Sequence, residues 1–160
     1  MAPLSSVARL AGVGQGSLYR HFPDRMALAV AVFDDNVTDL ESVSADPEAA
    51  LADLFDRVSE QAMASTALID MISLEIGDVR AQRLATRVSE VAEVLLARDQ
   101  ERGTIGRRVE TADVMLAISM LAFLLARTPA AERAQTASRA RAILWASFAA
   151  PSLQGKTETH

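Results

Sequence analysis

The sequence predicts an all-α protein with a small helical head and a larger helical body. Three observations carry that prediction. Half of the 160 residues are hydrophobic while only 4% are aromatic, with alanine and leucine dominating, a balance that favours helices over sheets. Apolar residues recur at alternating spacings of three and four along most of the chain, the period of one face of a helix. The seven glycines and five prolines fall mostly where those periodic stretches stop or start. A chain of this length can bury one sizeable core, or a small domain beside a larger one.

Taken in order, the first periodic stretch begins at Ser5-Ser6, which suit a helix cap, and continues with Val7, Leu10 and Ala11 on one stripe. Gly12 follows the last periodic residue, where a helix commonly ends in a left-handed conformation. Val13 sits at the corner, and a second short helix then turns Leu18 and Phe22 back toward the first. Two short helices joined by a tight turn are a helix-turn-helix. On the second helix Gly16, Ser17 and Arg20 point outward, with Tyr19 and His21 on the flanks. A hydroxyl, a phenol, an imidazole, a guanidinium and a glycine permitting close approach suit a phosphate backbone. Gln15 and Arg20 have side chains that read base edges, glutamine favouring adenine and arginine guanine.

The run Ala11-Gly12-Val13-x-x-Gly16-Ser17-Leu18-Tyr19-x-His21-Phe22-Pro23-x-Arg25-x-x-Leu28 resembles the DNA-binding signature of the tetracycline-repressor (TetR) family of transcription regulators. The resemblance implies that Gln15 to His21 form the recognition helix. It implies phosphate contacts from Ser17, Tyr19 and His21, a base approach from Gln15, and a further phosphate contact from Arg25 at a helix N-terminus. Family members carry one more helix before the position of Ser5-Ser6, and none of it precedes Met1 here, so the head is expected to be truncated. The expected organisation is a helix-turn-helix region over 1–33, a ligand-binding and dimerisation domain over 34–150, and a disordered tail over 151–160.

Charge is distributed in keeping with that division. Residues 1–33 hold three arginines against one aspartate, leaving −7 on the remainder of a chain whose net charge is −5. A cationic end on an acidic body suits a protein that presents one end to DNA.

The body reads as a succession of helices. Pro23 and Asp24 open one that carries Met26, Val30, Phe33, Val37 and Leu40 and runs to about Ser44. Asp46-Pro47-Glu48 opens the next, with Leu51, Leu54, Phe55, Val58 and Ala62 on its buried face until the pattern breaks near Ala64. A segment with Leu68, Ile69, Met71, Ile72, Leu74 and Ile76 is apolar nearly all round, which implies burial on several sides. From Val79, Leu84, Val88, Val91 and Leu95 mark another helix that stops at Gly103. Thr111 is the expected cap of a helix bearing Val114, Ile118, Leu121 and Leu125, widened by Met115, Ala122 and Leu124. Thr128-Pro129 precedes the last helix, with Ala137, Ala140, Leu144 and Phe148.

The faces of the last two helices, through Leu121, Leu125, Ala137, Ala140, Leu144 and Phe148, either pack within one chain or, as the resemblance implies, form a homodimer interface in which two such helices from each of two chains make a four-helix bundle. In the family, the central helices enclose a small-molecule pocket. Phe55, Met63, Met71, Met115, Met120 and Phe123 are the adaptable or aromatic residues expected to line it, with Ser73 and Ser119 supplying hydrogen bonds. The scarcity of charge on these faces points to an apolar or weakly polar effector.

Catalysis is not expected. The two histidines are His21, inside the head, and His160; Asp70, Glu75 and Asp78 have no base or metal partner in the pattern; and no phosphate loop, dinucleotide fingerprint or nucleophile elbow occurs. The lack of cysteine removes thiolate chemistry and disulfides, and no cofactor or metal is implied. No apolar run is long enough to span a membrane and no signal-peptide pattern opens the chain, so the cytoplasm is the expected location. The sequence therefore points to a ligand-responsive regulator, most simply a repressor, binding a palindromic double-stranded operator as a dimer. The alternative is a dimeric helical ligand-binding or interaction protein whose truncated head does not read DNA.

Overall fold

The computed structural model describes residues 25–64 and 79–150. The residues expected to form a helix-turn-helix, the apolar segment from Leu68 to Ile76 and residues 151–160 lie outside the described residues. Among the described residues the protein is all-α, as predicted: α1 (Arg25–Ala45), α2 (Leu51–Ala64), α3 (Val79–Glu101), α4 (Thr111–Arg127), a single 3-10 turn (Ala130–Glu132) and α5 (Arg133–Phe148). None of these helices is long and apolar enough to cross a membrane.

The stripe predicted for α1 is its buried stripe. Val37 and Leu40 are buried and Val30 and Phe33 half-buried. α1 runs without interruption through residue 33, so the boundary expected there falls inside a helix. A continuous helix transmits displacement at one end to the other, whereas a loop absorbs it.

α1 lies chiefly along α3, and α2 chiefly along α4. A polar clamp fixes the first seam. Arg87 of α3 donates from Nε to one oxygen of Glu41 at 2.6 Å and from a terminal nitrogen to the other at 2.8 Å, the forked geometry that arginine offers a carboxylate. The same guanidinium pairs with Asp34 and donates to the Thr38 hydroxyl at 3.1 Å. It thereby grips two turns of α1. Hydrogen bonding from Arg87 holds the Glu41 carboxyl below its ordinary value of 4.5, and the two carboxylates raise the pKa of Arg87. A carboxyl with a depressed folded pKa contributes stability above its unfolded pKa and loses it as pH falls through the folded one. Arg87→Met is therefore expected to flatten the loss of melting temperature on acidification below about pH 4.5, and to speed amide exchange over residues 34–41 about threefold or more. Unchanged acid sensitivity in the variant would remove this clamp as a determinant of α1 docking.

α2 starts later than its Asp-Pro-Glu sequence suggests. Asp46 instead closes the preceding turn, its carboxylate accepting the Glu48 N–H at 2.9 Å and its carbonyl the Ala49 N–H at 3.2 Å. The helix begins at Leu51, and its first amides are satisfied by two other carboxylates: Asp53 takes the Ala50 N–H at 2.8 Å, and Asp99, from α3, takes the Leu51 N–H at 2.9 Å. α3 ends in a Schellman motif around Gly103, the described residue with positive φ (72°). The Thr104 N–H reaches the Asp99 carbonyl at 3.0 Å and the Gly103 N–H the Gln100 carbonyl at 3.3 Å. α4 is capped by Glu110 rather than Thr111, because the Asp113 carboxylate reaches back to the Glu110 N–H at 2.9 Å, which places Thr111 as the first helical residue.

The core joins all five helices. Phe55 lies at its centre, edge-on to Trp145 at 6.2 Å and to Phe148 at 6.3 Å. Around it Leu51, Leu54, Leu95, Ile105, Val114, Leu121 and Leu125 are almost wholly removed from water.

Candidate functional site

Three features of the body bear on function: a pocket under α1, an exposed apolar groove between α4 and α5, and the start of α1 itself. Gln15, Gly16, Ser17, Tyr19, Arg20 and His21 lie outside the described residues. Arg25, the remaining residue expected at DNA, is the first residue of α1.

The pocket occupies about 130 Å³ where four helices meet. α1 contributes Phe33, Asn36, Val37 and Leu40, α2 contributes Val58, Gln61 and Ala62, and Val88, Ile118 and Ala122 close it from α3 and α4. Its wall is almost entirely carbon. Gln61 is fixed against α1, its amide nitrogen donating to the Asn36 carbonyl at 3.0 Å and to the Asp39 carboxylate at 3.1 Å. Two turns of α1 thus share a wall with this pocket, on a different face from the residues that Arg87 grips.

The residues expected to line an effector site are placed differently. Phe55 is 2% exposed and belongs to the aromatic centre of the core, and Met63 and Met115 pack against that core. Ser119 donates to the Met115 carbonyl one helical turn back, at 2.9 Å, and with Phe123 and Met120 it lines the outer groove instead. Met71 and Ser73 lie outside the described residues. Methionine and phenylalanine are adaptable cavity liners, but they are also good core fillers, and here the pocket wall holds one phenylalanine, Phe33, and no methionine among the described residues, its other apolar members being valine, leucine, isoleucine and alanine.

The groove holds about 650 Å³ and runs between α4 and α5, with Leu116, Met120, Phe123 and Leu124 along one side and Ala140, Ile143 and Leu144 along the other. Leu116 is 61% exposed, Met120 56% and Ile143 69%. The residues expected at a homodimer interface do not line up with this exposed surface. Leu121, Leu125, Ala137 and Phe148 are buried inside the chain's own core, and Ala140 and Leu144 are half-buried at the groove floor. The physical reason is that α4 is apolar on two faces. Val114-Ile118-Leu121-Leu125 is the stripe consumed by the core, and Leu116-Met120-Phe123-Leu124 is a second stripe left outward. Arg127 stacks over Phe123, 5.3 Å from the ring centroid, at one end of that stripe.

Among the described residues no cluster of three or more His, Cys, Asp or Glu is placed to hold a metal ion. The residues missed by sequence reasoning are Arg87, Asp99 and Gln61, whose partners lie far along the chain and leave no local signal, Leu116, whose outward stripe was legible as an excess of apolar residues on α4, and Ile143, an isolated outward apolar residue on α5. No protein-family model matches this chain, and no curated protein matches it.

Proposed function

We propose that this protein is a ligand-responsive, DNA-binding transcription regulator of the tetracycline-repressor type, acting in the cytoplasm as a homodimer on a palindromic operator. The observation that carries the reading is the dense signature from Ala11 to Leu28, whose Gly16-Ser17-x-Tyr19-x-His21 stretch supplies phosphate-binding groups at helical spacing. Features of the body support it. α1 leads directly out of that signature, shares a wall with an apolar pocket, and is anchored by Arg87. An unpartnered apolar groove on α4 and α5 offers a second copy a self-complementary surface. In this reading, ligand in the pocket displaces α1, changes the spacing of the two heads and lowers operator affinity, because half-site spacing is a fixed geometric demand.

Fluorescence anisotropy with promoter DNA from the protein's own gene tests the reading. Tyr19→Ala and Arg25→Ala are expected to weaken binding to every operator variant by about tenfold, and Arg25→Ala to reduce the salt slope by about one. Gln15→Ala is expected instead to change the ranking among base variants. A well-folded dimer that binds none of this DNA would leave the interaction-protein alternative standing.

A further inference from the structure

We infer that the pocket beneath α1 takes a compact, uncharged molecule about the size of a single aromatic ring, carrying at most a small polar group such as one hydroxyl. The inference rests on the regulator reading only for its biological role; the binding itself stands on the pocket.

Size comes first. The pocket measures about 130 Å³, and an apolar protein cavity of about 150 Å³ is known to stay free of water and to take up benzene. A two-ring molecule exceeds that volume and would have to extend out of the mouth of the pocket. Polarity is set by the wall, where Val37, Leu40, Val58, Val88 and Ile118 present carbon, so a charged group there loses its hydration without replacement. The arginines adjacent in sequence to the lining valines do not offer that replacement. Arg57 pairs with Asp39 at 3.2 Å and Glu60 at 3.3 Å, and Arg87 with Glu41 and Asp34. An anion therefore meets carboxylates that already hold the cations. Two polar side chains reach the wall, Gln61 and Asn36; both amide N–H groups of Gln61 are taken by α1, which leaves its carbonyl oxygen as an acceptor beside the Asn36 amide.

Phenol and benzoate are matched probes, alike in ring and different in charge. With the full-length protein and no DNA present, calorimetry is expected to show one phenol per chain. At ten times its dissociation constant phenol should raise the melting temperature by about 3 °C. Benzoate is expected to bind at least about 100-fold more weakly. Ala122→Leu, which puts bulk into the pocket from α4, should weaken phenol binding at least about tenfold, and Ala122→Val by a smaller factor, each checked for native helicity. The graded pair keeps the test alive if the larger side chain prevents folding. Absence of phenol binding at millimolar concentration, equal binding of benzoate, or wild-type affinity in both Ala122 variants would overturn the inference. Failure of operator binding would count against the regulator reading alone, since no DNA enters this assay.

Discussion

Asp99→Ala is expected to lower the free energy of unfolding by about 3 kcal/mol, the largest loss from removing any one polar side chain of the body. Asp99 is 2% exposed, one of two buried polar residues among the described residues. Its side chain reaches across 48 positions of sequence to accept the Leu51 N–H at 2.9 Å, and Leu51 is itself fully buried. Truncation leaves that amide with neither water nor acceptor, which alone costs about 1–3 kcal/mol, and removes a negative charge from the N-terminus of α2, worth a further fraction. Arg102, 3.7 Å from the other carboxylate oxygen, is not stranded by the change, because it also donates to the carbonyls of Pro47, Glu48 and Ala49. Asp99→Asn keeps an acceptor and loses the charge, so it should cost about 1 kcal/mol. Urea denaturation followed by circular dichroism, with equal slopes for all three proteins, measures both values. If the two variants cost the same, the acceptor at Leu51 is not what Asp99 contributes.

Asp99 also shows where sequence reading stops. The stripes of α1, α2 and α3 were legible because each helix hides one face, and a period of 3.6 reveals a hidden face without reference to its partner. Gly103 was legible as a terminator because a left-handed residue at that position follows from helix geometry alone. The cap of α2 was not, since an acceptor supplied from α3 has no signature near Leu51. Asp46 was instead read as the cap, and in the structure it closes a turn. The pocket escaped for a related reason. It is a space left where four helices meet, and its lining residues are ordinary members of four separate buried stripes.

Arg87 and the pocket together give α1 two opposed constraints. The clamp fixes the helix through Asp34, Thr38 and Glu41, while Phe33, Asn36, Val37 and Leu40 face the pocket. A ligand that pushes on the second set acts against hydrogen bonds made by the first. Two arrangements of α1 separated by a small free energy are what a switch of the proposed kind requires.

The groove between α4 and α5 carries the second large expectation. In the proposed homodimer paired through this groove, replacing Leu116 and Met120 together by arginine should raise the dimer dissociation constant by about three orders of magnitude, equivalent to about 4 kcal/mol. At a two-fold interface each substitution occurs twice, so four guanidinium groups would be brought together where carbon met carbon, with like charges facing across the axis. The monomer should tolerate the change, because Leu116 and Met120 are 61% and 56% exposed and contribute little to the core. Leu121→Ala is the contrasting variant. Leu121 is 1% exposed, at the base of the groove, so its truncation should lower the melting temperature, by an amount matching about 2–5 kcal/mol, while changing the accessible groove surface far less than the two arginines do. Sedimentation equilibrium and thermal denaturation on the two variants therefore separate the outward stripe of α4 from the inward one. A dimer that survives both arginines at micromolar concentration would place the interface elsewhere and leave the groove to a different occupant. A wild-type chain that stays monomeric at tens of micromolar would remove the paired heads on which recognition of a palindromic operator depends.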